Sequence, residues 1–298
     1  MRVLVGVDGS RAARIAGDFV SGRDWPSGTT IRLVGAVEPT LDWTGLAPVA
    51  IDANEHERAM LSDVLDELAE PLRARGYGVE AVLEQGRAAE LLDAHAAEWP
   101  ADLVVVGNRG HGAAASAVLG SVSAHLVDHA PCPVLVARSP TASRMLVAAD
   151  DTPSARSIPH VLAAWGDAFR GLSVEVLSVS TPEGRALPVG LVAEDDTDLA
   201  LHRQIADAVA ADLARMGWTA APEVRIGDPG RAIVATGREW GADLIVTGSR
   251  GLGTLRRMVL GSVAHDVLLH ARSSVLVMRG NVPARRPRPA TAVIPTPA

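Results

Sequence analysis

Glycines and a hydroxyl residue recur at one fixed interval twice along the chain. In GNRGHGAAASAVLGSVS (107–123), Gly107 is followed by Gly110 after two residues, then by Gly120 and Ser121 after nine more. The same interval returns as Gly248, Gly251, Gly261 and Ser262. Each run closes an apolar segment, ADLVVVG or ADLIVTG. Glycine there lets the backbone take φ > 0 and come close to a ligand, and free N–H groups ahead of a helix N-terminus attract an anion. Phosphate is the natural guest. A lone glycine in a βα turn is more often structural, and the long spacing is what carries weight. Two segments so placed can clasp a polyphosphate chain from both sides, with Ser121 or Ser262 adding a hydroxyl.

Asp8 and Asp150 each end an opening apolar run, VLVGV and MLVAA. A carboxylate at the carboxyl end of a strand can accept hydrogen bonds from a ribose or a base, or it can cap the next helix through Ser10 or Thr152. Arg256 and Arg257 sit inside the second glycine run and lack counterparts in the first. They either help hold phosphates or solvate a helix. Asp151 replaces Gly9, which adds a negative charge beside the second site and predicts unequal affinities.

Catalytic signatures are sparse. The chain contains no lysine, which removes Schiff-base chemistry and a Walker-type phosphate loop. His111, His125, His129, His265 and His270 lack partners at metal-ligand spacing, and neither a GxSxG elbow nor an HExxH motif occurs. Surface or helix-packing roles fit these histidines, and the metal assignment stays open. Asp8 could orient water toward a phosphate, giving slow turnover at most.

The elements that would position these residues come from a duplication. Trp99–Arg138 and Trp240–Arg279 align without gaps at 20 identities in 40 positions, and RVLVGVDGSRAA from Arg2 matches RMLVAADDTPSA from Arg144. Within each copy, apolar runs alternate with helical periodicity. Strands are predicted at 3–7, 31–37, 78–84, 102–106 and 134–138, then at 145–149, 172–179, 221–225, 243–247 and 274–278. Helices are predicted at 10–21, 54–75, 87–98 and 121–129 in the first copy. Met60, Leu61, Val64, Leu65, Leu68 and Leu72 fall on one face of the second of these. The pattern predicts α/β architecture: two tandem doubly wound, Rossmann-like domains, each with a five-stranded parallel sheet. Boundaries are expected at 1–140 and 141–280, followed by a proline-rich, flexible tail at 281–298.

Composition bounds the rest. Of the 298 residues 48% are hydrophobic, enough for two packed cores. A formal charge of −7 without a basic block argues against nucleic acid as a partner. Cys132, the sole cysteine, reads as a buried structural thiol in a reducing compartment. MRVLVGVDGS enters a strand without a signal-peptide core, and no apolar run spans a bilayer, so a cytoplasmic protein without a membrane span is expected.

The motif GxxG, nine residues, G[ST] resembles the ATP-binding signature of the universal stress protein family, over about residues 1–280 and in both copies. The resemblance implies an adenine nucleotide alpha hydrolase-like fold, ATP as the cofactor with Mg²⁺, and phosphate contacts at Gly107, Gly110, Gly120, Ser121 and Val122. In the second copy it implies Gly248, Gly251, Gly261, Ser262 and Val263. It places Asp8 and Asp150 beside the nucleoside, with backbone contacts to adenine at Ala36 and Val179. It further implies that the final strands of the two copies meet across a pseudo-twofold axis, as in the family's dimer. The expected activity is nucleotide-dependent regulation in a stress or growth-state response, read by a regulatory protein or a second copy in a homodimer. A slow ATPase and an interaction scaffold with structural nucleotide are the alternatives.

Overall fold

The computed structural model describes residues 1–38, 47–110, 119–181, 196–249 and 260–279, with backbone alone for 47–54 and 196. The tail at 281–298, Gly251, Arg256, Arg257 and His111 lie outside the described residues. The first lobe runs β1 (Arg2–Val7), α1 (Arg11–Ser21), β2 (Thr30–Val37), α2 (Ala47–Ala74), β3 (Gly78–Gln85), α3 (Ala88–Glu98), β4 (Leu103–Gly107), α4 (Ser121–His129) and β5 (Val134–Ala137). The second repeats it as β6 (Arg144–Ala148), α5 (Pro153–Ala164), β7 (Ser173–Ser180), α6 (Asp196–Arg215), β8 (Thr219–Ile226), α7 (Pro229–Trp240), β9 (Leu244–Gly248), α8 (Ser262–His270) and β10 (Ser274–Met278).

Local chemistry sets these elements. Ser10 Oγ accepts from the Ala13 amide to cap α1, and Thr152 does the same for α5 through Ala155. Asp228 caps α7, Pro229 supplies its first turn, and Gly241 ends it in the left-handed region at φ 72°. In β1, Val3 and Val5 join one core cluster and Leu4 the other, so both faces of the strand are buried. That is why it reads as an unbroken apolar run.

The strand order is β3-β2-β1-β4-β5-β10-β9-β6-β7-β8, one continuous ten-stranded sheet. Pairing is parallel throughout each half, and the halves join where β10 runs antiparallel to β5, with Leu276 opposite Leu135. Each half therefore has the doubly wound order 3-2-1-4-5, with its switch point between the first and fourth strands. The expected meeting of the last strands is present, and it fuses two sheets into one. β8 starts two residues earlier than predicted and includes Pro222, opposite Val176. Proline is tolerated there because β8 is an edge strand with one unpaired side.

The lobes also touch beyond the paired strands. Phe19 and Trp25 of the first pack against Phe169 of the second, with ring centroids 6.4 and 6.0 Å apart. Arg23, almost wholly buried, lies over the Phe19 ring and donates to the Ala142 carbonyl at 3.2 Å. Burial lowers its pKa, partly offset by Asp24 and Asp243. Near the seam, Arg138 donates to the carbonyls of Ser273 (3.0 Å) and Leu268 (2.6 Å), while Arg279 donates to that of Val127. Val127 and Leu268 lie in the last turns of α4 and α8, whose carbonyls lack intrahelical donors. Each arginine thus caps a helix of the opposite lobe.

Candidate functional site

In each lobe the loop after the fourth strand and the start of the following helix are tied together. The Gly120 amide donates to the Asn108 carbonyl at 2.9 Å, and the Gly261 amide to that of Ser249 at 2.8 Å. Gly120 and Gly261 are the N-cap residues of α4 and α8, at φ −65° and −63°, and neither helix has a side-chain cap. The first-turn amides, including those of Ser121 and Val122 or Ser262 and Val263, therefore stay without an intrahelical acceptor. By contrast α1, α5 and α7 all begin with side-chain caps. Two adjacent uncapped amides at a helix start suit an anion.

The glycines of this loop serve close approach to neighbouring protein atoms, which corrects the expected φ > 0 at the described positions. Gly107, Gly110, Gly120 and Gly248 are not in the left-handed region. A Cβ on Gly107 would lie 2.5 Å from the backbone carbon of Ala12, and one on Gly248 2.8 Å from Ser154 Oγ. These two glycines let the loop sit against the first turn of α1 or α5. A Cβ on Gly110 would lie 2.5 Å from Asp8 Oδ2, and one on Gly120 3.1 Å from the Asn108 carbonyl oxygen. Gly110 thus keeps the loop against the Asp8 carboxylate.

Asp8 divides its two oxygens. Oδ1 accepts from the Ser10 amide at 3.0 Å, which shapes the β1–α1 turn, while Oδ2 faces Gly110. Asp150 Oδ1 likewise accepts from the Thr152 amide at 3.0 Å. The caps themselves are Ser10 and Thr152, so the aspartates brace capping residues without capping the helices. Asp151, the extra charge of the second lobe, is paired with Arg156 on α5.

In the second lobe these parts line a single cleft. Asp150, Val179, Gly248, Gly261, Ser262 and Val263 line it together with Leu177, Pro229, Ile233 and Thr247. Leu177, Val179, Pro229 and Ile233 give the lining an apolar part, and Gly261, Ser262 and Val263 bring the uncapped start of α8 to the same cleft. Thr247 is a polar lining group that pattern reading misses, since Val106 stands in its place in the first lobe. Of the residues expected in the first lobe, Gly107, Gly110, Gly120, Ser121 and Val122 belong to the tied loop and helix start, Asp8 faces it, and Ala36 is half-buried near the end of β2. Ser123 also escapes pattern reading: its hydroxyl donates to the Gly107 carbonyl at 2.7 Å, where Ala264 stands in the second lobe.

The remaining titratable groups lie elsewhere. His270 is 2.8 Å from Asp266 one turn earlier, a pairing that motif spacing alone does not credit. The His125 and His129 rings stack with centroids 4.3 Å apart. Among the described residues no three His, Cys, Asp or Glu side chains gather as a metal site. Cys132 is buried, and that burial pushes its thiol up to about 12. Among the described residues no helix is long and apolar enough to cross a membrane.

Comparison with known proteins places the duplication in a family. The profile of the Universal stress protein family matches residues 1–138 and again 141–279. A universal stress protein of Mycobacterium tuberculosis is 35% identical over 199 residues, 60% of this chain and 62% of that protein. The chain therefore spans under two thirds of that relative's length. A second from the same organism is 29% identical over 304 residues, 93% of this chain and 96% of the relative. The crystal structure of a universal stress protein from Archaeoglobus fulgidus aligns with a TM-score of 0.66 at 22% identity, covering 94% of this chain and 98% of that one. A universal stress protein of Arabidopsis thaliana, solved with AMP bound, aligns over 45% of this chain and 88% of its own at 21% identity and a TM-score of 0.32.

Proposed function

Because both halves of this chain belong to the universal stress protein family, we propose that each lobe, 1–140 and 141–280, binds ATP with Mg²⁺ and that occupancy makes the protein a nucleotide-dependent regulator of a stress or growth-state response. One observation carries this reading. The second cleft joins an apolar wall of Leu177, Val179, Pro229 and Ile233 to the uncapped amide end of α8. The wall suits a base and the amides suit phosphate, so the cleft has the division of labour a nucleotide needs. Asp150 lines the same cleft and suits a ribose hydroxyl. Mg²⁺ neutralises phosphate charge when bound, and as a hard, strongly hydrated ion it would be held mainly by the phosphates, with at most one carboxylate, Asp8 or Asp150, in each cleft. The choice of adenine rests on the family signature.

The test is a calorimetric titration of nucleotide-stripped protein with ATP and with GTP, beside the double variant Gly110→Val, Gly251→Val. Saturable ATP binding near two per chain, lost in the variant, supports the reading. Absence of saturable ATP binding to the wild-type chain overturns it.

A further inference from the structure

One hydrogen bond crosses from the first lobe into the loop of the second cleft. Asp128, in the last turn of α4, accepts the Leu260 amide at 3.2 Å through Oδ1. Leu260 immediately precedes Gly261, the N-cap of α8, and is itself buried. The amides in sequence are thus allotted in order: Leu260 to Asp128, Gly261 to the Ser249 carbonyl, and then Ser262 and Val263 to the cleft. The start of α4 carries the matching uncapped amides of the first lobe. Nine residues at about 1.5 Å each make α4 a rod of roughly 14 Å. Its N-terminus offers the uncapped amides of the first lobe, and the Asp128 carboxylate in its last turn holds the residue before the N-cap of α8 in the second.

The Asp128 bond has no counterpart in the other direction. The duplication aligns Asp128 with Leu269, whose side chain has no acceptor for the Leu119 amide. The lobes are otherwise reciprocal here, with Arg138 on the Leu268 carbonyl and Arg279 on that of Val127. Those two arginines hold α4 and α8 at their C-terminal ends, so the Asp128 carboxylate is delivered on a helix fixed to the second lobe. A carboxylate that fixes an amide one residue before an N-cap constrains the backbone that aims the following amides.

We propose that Asp128 of the first lobe is a positioning residue for the second nucleotide cleft, a carboxylate link that the first lobe's site lacks because Leu269 stands in the matching place. The proposal rests on the reading of the clefts as ATP sites, and its primary test is independent of nucleotide. Amide hydrogen exchange of the ligand-free full chain is compared for wild type, Asp128→Ala and Asp128→Asn. Faster exchange confined to 260–263 in Asp128→Ala, with 119–122 unchanged and wild-type rates restored by Asp128→Asn, is expected, because the asparagine carbonyl still accepts. Unchanged exchange at 260–263, or equal acceleration in both lobes with a lowered melting temperature, overturns the proposal. A calorimetric ATP titration in a Gly110→Val background, which closes the first cleft, then reads the second alone. Asp128→Ala weakens that site about tenfold and Asp128→Asn does not. Equal affinity with Asp, Ala and Asn at position 128 also overturns the proposal. Failure of the wild-type chain to bind ATP removes the nucleotide reading, while the exchange result still decides the role of Asp128.

Discussion

Arg138 reaches across the lobe boundary to place a guanidinium N–H 2.6 Å from the Leu268 carbonyl, in the last turn of the opposite lobe's helix. Burial is the main cause that lowers the Arg138 pKa to about 10, with the Arg109 charge second. Arg138→Met leaves two carbonyls, those of Ser273 and Leu268, without this donor. We expect a loss of about 2 kcal/mol from removing hydrogen bonds to a charged group, measured by urea unfolding.

Gly107 and Gly110 separate folding from binding. Gly107→Ala drives a Cβ into the Ala12 backbone, which has no flexible end to give way, and costs about 3 kcal/mol of stability. At Gly110 the atom met is a carboxylate oxygen of Asp8, on a side chain that can rotate. Gly110→Ala is therefore expected to leave the melting temperature within about 2 °C of wild type while displacing Asp8 and weakening ATP binding to the first lobe. Thermal melting and calorimetry on the two variants check the contrast.

Stability should fall between mildly acidic and mildly alkaline pH because of one carboxyl pair in the second lobe. Burial, then the hydrogen bond and charge of Glu223, raise Glu175 to about 7. Glu223 moves down, chiefly through the hydrogen bond from Glu175, so the shared proton resides on Glu175. A carboxyl raised in the folded state binds a proton that the unfolded chain has already released. The favourable contribution is thus complete below the ordinary carboxyl range and is lost as pH rises through about 7. Glu175→Gln is expected to flatten the melting temperature between pH 5 and pH 8 and to raise it at the alkaline end.

Cys132 gives a sensitive report of opening. With the thiol buried and its pKa near 12, native protein at pH 8 should resist Ellman's reagent and react fully only in denaturant. Rapid labelling of native protein would mean that the α4–β5 turn opens freely.

Strand identity and the duplication were legible because β1 and its relatives are buried on both faces and leave unbroken apolar runs. Gly248, Gly261 and Ser262 were named from spacing, Asp150 from its place at a strand end, and Val179 and Val263 through the family resemblance, and the fold gathers all six in one cleft. The reason for Gly107 was not legible: a need for φ > 0 and a need to sit on Ala12 select the same residue. Ser123 left a trace, since SVS against SVA is a visible difference between copies, but its carbonyl partner appears only once the loop folds. Asp128 left none, because its partner Leu260 is 132 residues away in sequence. Arg138 and Arg279 ended both repeats identically without revealing that each serves the opposite helix.

The antiparallel seam of β5 with β10 lies within one covalent chain, and only residues 138–143 separate the end of β5 from the start of β6. An association between separate copies obeys mass action and weakens as the protein becomes scarce. Here the tether replaces bulk concentration with a fixed effective concentration in the range of millimolar for a short linker. The pairing of the lobes is therefore insensitive to expression level, and the paired sheet is as complete at a few copies per cell as at abundance.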